Sequence, residues 1–508
     1  MRSTNYQAKL FADFQADELR IDRLLQEKAK LVRQNKASTT KIQRLTKEVA
    51  HLKAQLASLV KDNDHYQTLA KTDSNNIGLP TSQTKINQKK RIPNSRVKSN
   101  KTKGDQKGHT KSSLAPFTAA EVTEHVTHEL TVCPNCHGRH IRKTTKVKTK
   151  DELDFQIVII KRRHEFPTYI CDDCGKKSYE AIPNNLKEAN QYGPILKAYA
   201  LSLMNEANVS LDKTQRMIMG LTYDNLRPSQ GYLAKLQKQA AKGLKPFGRE
   251  LKQKLLKQKL LYWDDTVVMV NTKRACLRYY GTEKLALYRA HEHKDLKSIK
   301  DDALLTQLPA DCHVMHDNNK VNYNPIFNYA NVECNVHLMR DLQKCVDNTG
   351  HQWAKDLRKL ISLTNINRKE LLSQGSSSFD ETTEANFYFK LNQALALGHE
   401  ESKTTSNSYY APTERALIKR IVDYTPEYFS WVTNFNLPFS NNLSERSLRG
   451  VKSKMKVAGQ FENITSSKNY AAIRSYLETS YRNGKNPTKA LERLMAGKPY
   501  QLKELIEK

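Results

Sequence analysis

Long apolar runs, acidic residues and cysteines are all scarce in this 508-residue chain, and each scarcity excludes something. No apolar run approaches the roughly 20 residues that cross a bilayer, so a soluble chain of several domains is expected, with no membrane partner. The opening run MRSTNYQAKLFADF has no sustained apolar segment, which argues against a secretory leader. Acid is outnumbered: 53 Asp and Glu face 84 Lys and Arg, for a formal net charge of +31. A surface that merely keeps a protein in solution needs no such excess. It predicts a polyanionic partner, nucleic acid first, because neutralising phosphates releases condensed counterions. Eight cysteines in so long a chain, without an export signal, suit a reducing compartment. Metal or core roles for them come before disulfides.

What is present begins with a heptad. Ile21, Lys28, Asn35, Ile42, Val49 and Leu56 share one seam position; Leu24, Leu31, Ser38, Leu45, Leu52 and Leu59 share the other. That unbroken phase within residues 1–70 predicts a coiled coil with a soft centre, in which Asn35 fixes register and Glu48 meets Lys53 of a partner helix. A homodimer or higher oligomer through residues 20–60 follows; the alternative is an amphipathic helix packed on its own chain. Residues 71–115 then lose all periodicity and turn rich in Lys, Asn and Ser. They read as a disordered basic linker that joins domains or lies along phosphates.

A zinc ribbon-like module is expected over residues 116–185. Cys133 and Cys136 in CPNC pair with Cys171 and Cys174 in CDDC, and two such turns aim four thiolates at one tetrahedral ion. A redox pair is the weaker competitor. Residues 153–160, LDFQIVII, read as a strand between them. Lys143, Lys146, Lys148 and Lys150 suit a DNA contact or a solvated face equally. Residues 186–250 read as a helical cluster. A helix from 211 to 219, a turn at Gly220 and a second helix near residues 228–230 have helix-turn-helix spacing. Arg227, Ser229, Gln230 and Tyr232 would lead the recognition helix, although three-helix clusters often carry such a turn without touching DNA.

After Lys259 the texture changes to strands. The run LLYWDDTVVMV carries Asp264 and Asp265 in its middle, and neighbours on a strand face opposite ways, so only one of them can serve a given site. Two further strands, 272–280 and 284–290, a helix over 295–306, a strand over 312–317 ending in Asp317, a strand over 331–335 and a helix over 337–347 follow. The order strand, strand, strand, helix, strand, helix, strand, helix is that of an RNase H-like α/β core, whose first and fourth strands set their acids side by side. Residues 346–435 read as a helical insertion that Trp353 and Trp431 pack. The run PFSNNLSERSLRGVKSKMKVAGQF, residues 438–461, then opens a helix with one acid, Glu445, followed by Arg446, Arg449, Lys452, Lys454 and Lys456. The bland readings are that Asp317 caps a loop and that Asn442 and Glu445 form a capping box. Cys334 reads as a core thiol and His337 as a neighbour of the site without an assigned role, in preference to half a metal site. Cys276, Cys312 and Cys345 read as core thiols too.

WDDT around Asp264, HDNNKVNY around Asp317, CNVHLMR from Cys334 and SNNLSERSLR around Glu445 together resemble the bacterial DDE transposases of the insertion sequence sixty-six family. KSKMKVAGQF, AAIRSYLETSYRNGKNP, the paired CxxC motifs and the helix-turn-helix region extend the resemblance over most of residues 110–500. The family's usual Asp-Glu-Thr is Asp264-Asp265-Thr266 here, and its Gly-Arg-Lys triplet is Lys454-Met455-Lys456.

The resemblance implies a multidomain α+β protein with a catalytic core over 251–465 and a C-terminal helical tail over 466–508. It implies that Asp264, Asp317 and Glu445 are the catalytic acids, holding two Mg2+ (or Mn2+) ions about 4 Å apart for phosphodiester hydrolysis and strand transfer. Zinc and the helix-turn-helix would read the element's terminal repeats, Arg446, Arg449, Lys452 and Lys456 would neutralise the strand being cut, and the coiled coil would pair two protomers. Terminal-repeat and target DNA are the implied partners, with accessory proteins of the same element left open, in the bacterial cytoplasm at the nucleoid. Two rivals stand beside this reading: a catalytically silent DNA-binding regulator, and a structure-selective nuclease on the same core.

Overall fold

The structure, a computed structural model, describes residues 2–71, 115–183, 186 and 188–506. The basic linker expected over 71–115 falls, apart from its ends, outside the described residues. Helix α1 (Arg2–Ala70) is one uninterrupted helix of 69 residues. Its sequence has neither Gly nor Pro to break it. Thr39, Thr40 and Thr46 turn their hydroxyls onto carbonyls four residues back, which lets them sit inside it. Its seam residues, Ile42, Leu45, Val49, Leu52, Leu56 and Leu59 among them, are all exposed.

In the cysteine module the expected strand over 153–160 does not form. The strands there are β1 (Thr168–Ile170) and β2 (Lys177–Tyr179), an antiparallel pair flanking the second CxxC. Leu153, Phe155, Val158 and Ile160 stay exposed, so their apolar run has no neighbour to pair or pack with.

The body is built on a five-stranded sheet. Its strands are β3 (Leu260–Val270), β4 (Lys273–Gly281), β5 (Ala286–His291), β6 (His313–His316) and β7 (Ala330–Glu333), in the order β5-β4-β3-β6-β7. The first three form an antiparallel meander, and β6 and β7 run parallel to β3. Asn271 and Thr272, with φ of 44° and 63°, make the two-residue turn that the β3–β4 hairpin requires. Helix α6 (Leu296–Asp302), capped reciprocally by Asp295 and Ser298, separates β5 from β6. The helix expected between the fourth and fifth strands is absent. Only a 3-10 turn, Lys320–Tyr323, stands there. Asn319 and Asn324 bond to nearby backbone N–H groups instead, and Pro325 could not continue a helix.

Helices α2 (Pro194–Asn205), α3 (Leu211–Leu221), α4 (Gln230–Gly243) and α5 (Lys245–Leu255) precede the sheet, and α13 (Ile464–Arg482), α14 (Pro487–Met495) and α15 (Leu502–Ile506) follow it. The two groups share one apolar core with Leu261, Trp263, Tyr280 and Leu287 of the sheet. The expected tail and helix-turn-helix segment are thus packed on one another. Helix α13 also covers the exposed edge of the sheet: Ser475 and Thr479 accept the N–H groups of Tyr288 and Ala286 on β5. After β7 come α7 (Asn335–Thr349), then α8 (Gln352–Ser373), α9 (Glu381–Glu401), α10 (Ala411–Asp423) and α11 (Thr425–Thr433). Together these build a second core in which Trp353 and Trp431 are fully buried. Helix α12 (Asn442–Ala458) then returns the chain to β3, against which Leu448 and Val451 pack.

Candidate active site

Three elements bring Asp264, Asp317 and Glu445 to one open cleft of about 1210 Å3. Strands β3 and β6 pair in parallel with Tyr262 opposite Met315. Carried two residues on, that register sets Asp264 opposite Asp317. Asp264 accepts the N–H of Asp265 at 2.7 Å. Burial, then repulsion from Asp317 and Asp265, push its pKa up to about 8. The neighbouring Asp265 lines the cleft as well, contrary to the expectation that the two acids part to opposite faces, but it is already paired: Lys294 Nζ lies 2.6 Å from its Oδ1, and the Cys276 thiol donates to its Oδ2.

Glu445 reaches the cleft from α12. The capping box that is the alternative reading of Asn442 and Glu445 is not formed, because the helix starts one residue earlier than that reading needs. Asn441 is the N-cap and makes no side-chain cap bond. It turns inward and donates to the Trp263 carbonyl at 3.0 Å, while its own N–H is 3.2 Å from Cys334 Sγ. Glu445 is therefore free of capping duty. Its Oε1 and the Oδ1 of Asp317 are buried without a hydrogen-bond partner.

His337, on the first turn of α7, stands between these two acids. Its Nδ1 is 3.1 Å from Asp317 Oδ1, close enough for ion pairing but not aligned as a hydrogen bond, and its Nε2 is 3.7 Å from Glu445 Oε1. Burial opposes the imidazolium, but Asp317 and Cys334 outweigh it and push the pKa up to about 11. Burial likewise opposes ionisation of Asp317, yet His337 and Asn441 hold its carboxyl below the ordinary value. Asp317, Cys334 and His337 each offer a ligand atom within 4.8 Å of the others, and they are the one such group among the described residues.

The rim is basic. Arg449, Lys452 and Lys456 line the cleft with Glu445, at the spacing of a single helix face, and Lys294, Lys320 and Arg340 line it from other elements. Arg446 is exposed but outside the cleft. Lys454 faces inward, against the carbonyls of Met204 and Val209.

The Transposase IS66 family matches residues 190–469, more than half of the chain. The chain belongs to that family. No curated protein matches it. Membership makes it a transposase, a nucleic-acid-processing enzyme with DNA as its partner, and implies use of a divalent metal. The cleft suits such an ion: Asp317 and Asp265 repel the charge of Asp264, and Asp317 Oδ1 and Glu445 Oε1 accept no hydrogen bond, with only the ion-pair neighbours His337 and, for Glu445, Arg340 at 3.8 Å. Among the described residues no helix of this IS66 transposase is long and apolar enough to cross a membrane.

The other expected site residues lie apart from the cleft. The two CxxC turns are near copies of each other. In the first, Cys133 N–H bonds to the Gly138 carbonyl and His137 N–H to the Cys133 carbonyl; in the second, Cys171 pairs likewise with Lys176 and Gly175. His137 and Gly175 hold matching left-handed φ of 56° and 67°. Within each turn, N–H groups aimed at the first thiol hold its pKa below the ordinary value. No three of the four thiols lie within 4.8 Å of one another.

In the helix-turn-helix segment Ser229 is the N-cap of α4, accepting from Tyr232 N–H. Tyr232 packs inward against Tyr192, their rings 5.0 Å apart, so neither is a free recognition side chain. Arg227 and Gln230 are exposed. Sequence reasoning left His337 without a role and missed the inward turn of Asn441 and the Lys294–Asp265 pair. The three-residue spacing of Cys334 and His337 was the available signal for the first; the others depend on contacts between distant elements.

Proposed function

We propose that this transposase cleaves DNA at the ends of an insertion sequence and joins the freed 3′-hydroxyls to target DNA, with Asp264, Asp317 and Glu445 as its metal-holding acids on an RNase H-like core. The observation that carries this is the convergence of three acids from β3, the end of β6 and α12 on one cleft, with Asp317 Oδ1 and Glu445 Oε1 accepting no hydrogen bond. Magnesium, or manganese, suits the all-oxygen set and would supply activation of the attacking oxygen and neutralisation of the leaving one. The protein's share is positioning. Asn441 ties the start of α12 to Trp263 beside Asp264, so Glu445 keeps its place relative to the first acid. Asn322 donates to the Asp317 carbonyl at 3.0 Å and holds the second acid's backbone. Arg449, Lys452 and Lys456 present one cationic face along which the scissile strand lies, while Lys294 holds Asp265 out of competition.

In the same reading the four cysteines close on one zinc ion, drawing the two matching turns together, and that module, with Arg227 and Gln230, contacts the terminal repeats. The exposed seam of α1 pairs with a second copy so that both ends are processed together.

The test is Glu445→Gln with DNA carrying the element's ends. Folding and DNA binding persist and Mg2+-dependent nicking disappears. Retained nicking by the variant defeats the assignment. A wild-type protein that binds ends without nicking them is the silent regulator, and one that nicks without joining is the nuclease.

A further inference from the structure

We propose that the helical insertion is the seat of the α1 arm, and that this seat fixes the spacing between two catalytic cores when a second copy pairs along the arm. The last turns of α1 do not end in solvent. Asp64 Oδ2 accepts both the N–H and the hydroxyl of Ser408 at 2.7 Å, in the connection between α9 and α10. Asn407 donates to Thr68 Oγ1 at 3.1 Å, and the rings of His65 and Tyr409 lie 4.5 Å apart. Thr68 is 4% exposed there, on a helix whose seam is exposed throughout.

The phase of the heptad decides what this contact is for. Counting on from Leu56 and Leu59, the seam positions fall at Asn63 and Tyr66. Asp64, His65 and Thr68 therefore lie on the outer face, at the b, c and f positions. The arm is seated by one face and keeps the other for a second copy of this chain, whose identical seam and Glu48–Lys53 complementarity match it. The seat itself is stiff. Asn407 also accepts from Tyr410 N–H, and Thr405 donates at 2.5 Å to Glu414, a fully buried acid at the centre of the insertion. A helix of 69 residues projects about 100 Å at roughly 1.5 Å per residue, so a loose base would let the cores swing widely.

The seam pairing is part of the function proposed above, and sedimentation of the full-length protein tests it separately: a monomer at micromolar concentration overturns both statements. The seat is tested by disulfide trapping in full-length Asp64→Cys/Ser408→Cys, wild type being the control. Isotopically heavy and light protein are mixed before mild oxidation. A 64–408 cross-link with both halves of one label is expected; no cross-link, or mixed-label cross-links, overturns the seat. Spin labels introduced at exposed Leu363 of the insertion then read the distance between cores. Asp64→Lys should leave the oligomer intact and broaden a narrow distance distribution at least twofold. An unchanged distribution overturns the claim that the seat sets the spacing. None of these readouts depends on DNA cleavage, so they stand apart from the outcome of Glu445→Gln.

Discussion

Asp302 and Asp264 are acids of the same sheet region that meet burial in opposite ways. Asp302 is surrounded: Arg278 donates to it at 3.2 Å, Tyr280 at 2.8 Å, and His291 lies 2.9 Å away. Burial opposes its ionisation, but His291 and Arg278 outweigh burial and hold the carboxyl below its ordinary value. Asp264 has one backbone N–H, two acids and the more weakly felt charge of Lys452 for company, and burial with repulsion pushes it up to about 8. Glu414 in the insertion repeats the Asp302 pattern, with Trp353, His351 and Thr405 on its oxygens. A buried acid whose protein supplies its partners is part of the fold. One whose protein withholds them is the kind the proposed function gives to a cation.

The sharpest break of that comparison is to neutralise each kind. Asp264→Asn is expected to reduce cleavage well beyond the roughly 10–100-fold seen when only a hydrogen-bond partner of a metal ligand is removed. It should also leave the metal-free protein at least as stable as before, because it removes an acid whose ionisation the fold opposes. Nicking assays and thermal unfolding in chelator measure the two halves. A drop in melting temperature would place Asp264 with Asp302 and end the distinction.

Asp302→Asn should do the reverse. Arg278, fully buried, loses its counter-charge, and such losses are worth about 3–5 kcal/mol. Denaturant unfolding measures this. Cleavage by the folded fraction should persist. The sign of the pH dependence follows from the depressed pKa. Asp302 contributes fully above the unfolded value of about 3.9 and loses its contribution as pH falls through the folded value. The variant should therefore unfold with a flatter acid limb than wild type.

Much of this contrast was legible in the chain and some of it was not. The strand run ending at Asp317 and the single acid opening the 438–461 helix made the two acids candidates, but local pattern left caps as an equal reading, and only the order of the elements and the family resemblance favoured a shared site. The meander was visible as three strand-like runs over 260–270, 272–280 and 284–290, each within two residues of the strand that forms. The α1 heptad was visible because its period needs no partner. What failed were readings that depend on distant neighbours. Asn442 looked like a cap because spacing cannot tell which of two adjacent asparagines turns inward, and Trp263, 178 residues away, decides it. Lys454 looked like one more cation of the basic face, although the helix turns it into the α2–α3 junction. The run over 153–160 had strand composition but no partner strand, and composition alone does not make a ladder.

Glu414→Gln gives a smaller effect of the same sign as Asp302→Asn. Its partners include neutral donors, and an amide keeps one acceptor oxygen, so a loss of about 1–3 kcal/mol is expected from the one donor left facing an NH2 group. Because the seat of α1 rests on Thr405, disulfide trapping at positions 64 and 408 should also weaken in this variant, which ties the insertion's buried acid to its surface role.

The smallest expected effect is the one that most sharpens the site. Asp264 and Asp265 are adjacent, and the sequence allows either to face an ion. Asp265 has Lys294 at 2.6 Å and the Cys276 thiol, whereas Asp264 faces Asp317. The Lys294 pair is half-exposed on the lysine side, and pairs of that kind are worth about 0–1 kcal/mol. Asp265→Asn should therefore change stability by no more than about 1 kcal/mol. It should also retain most cleavage, since the hydrogen bond that Asp264 receives comes from the backbone of residue 265 and survives the substitution. It would in addition remove one of the two charges that repel Asp264, so half-saturation of cleavage by Mg2+ should not rise. A metal titration in which Asp265→Asn is as inactive as Asp264→Asn would reverse the assignment and make Lys294 the competitor of the ion for its own ligand.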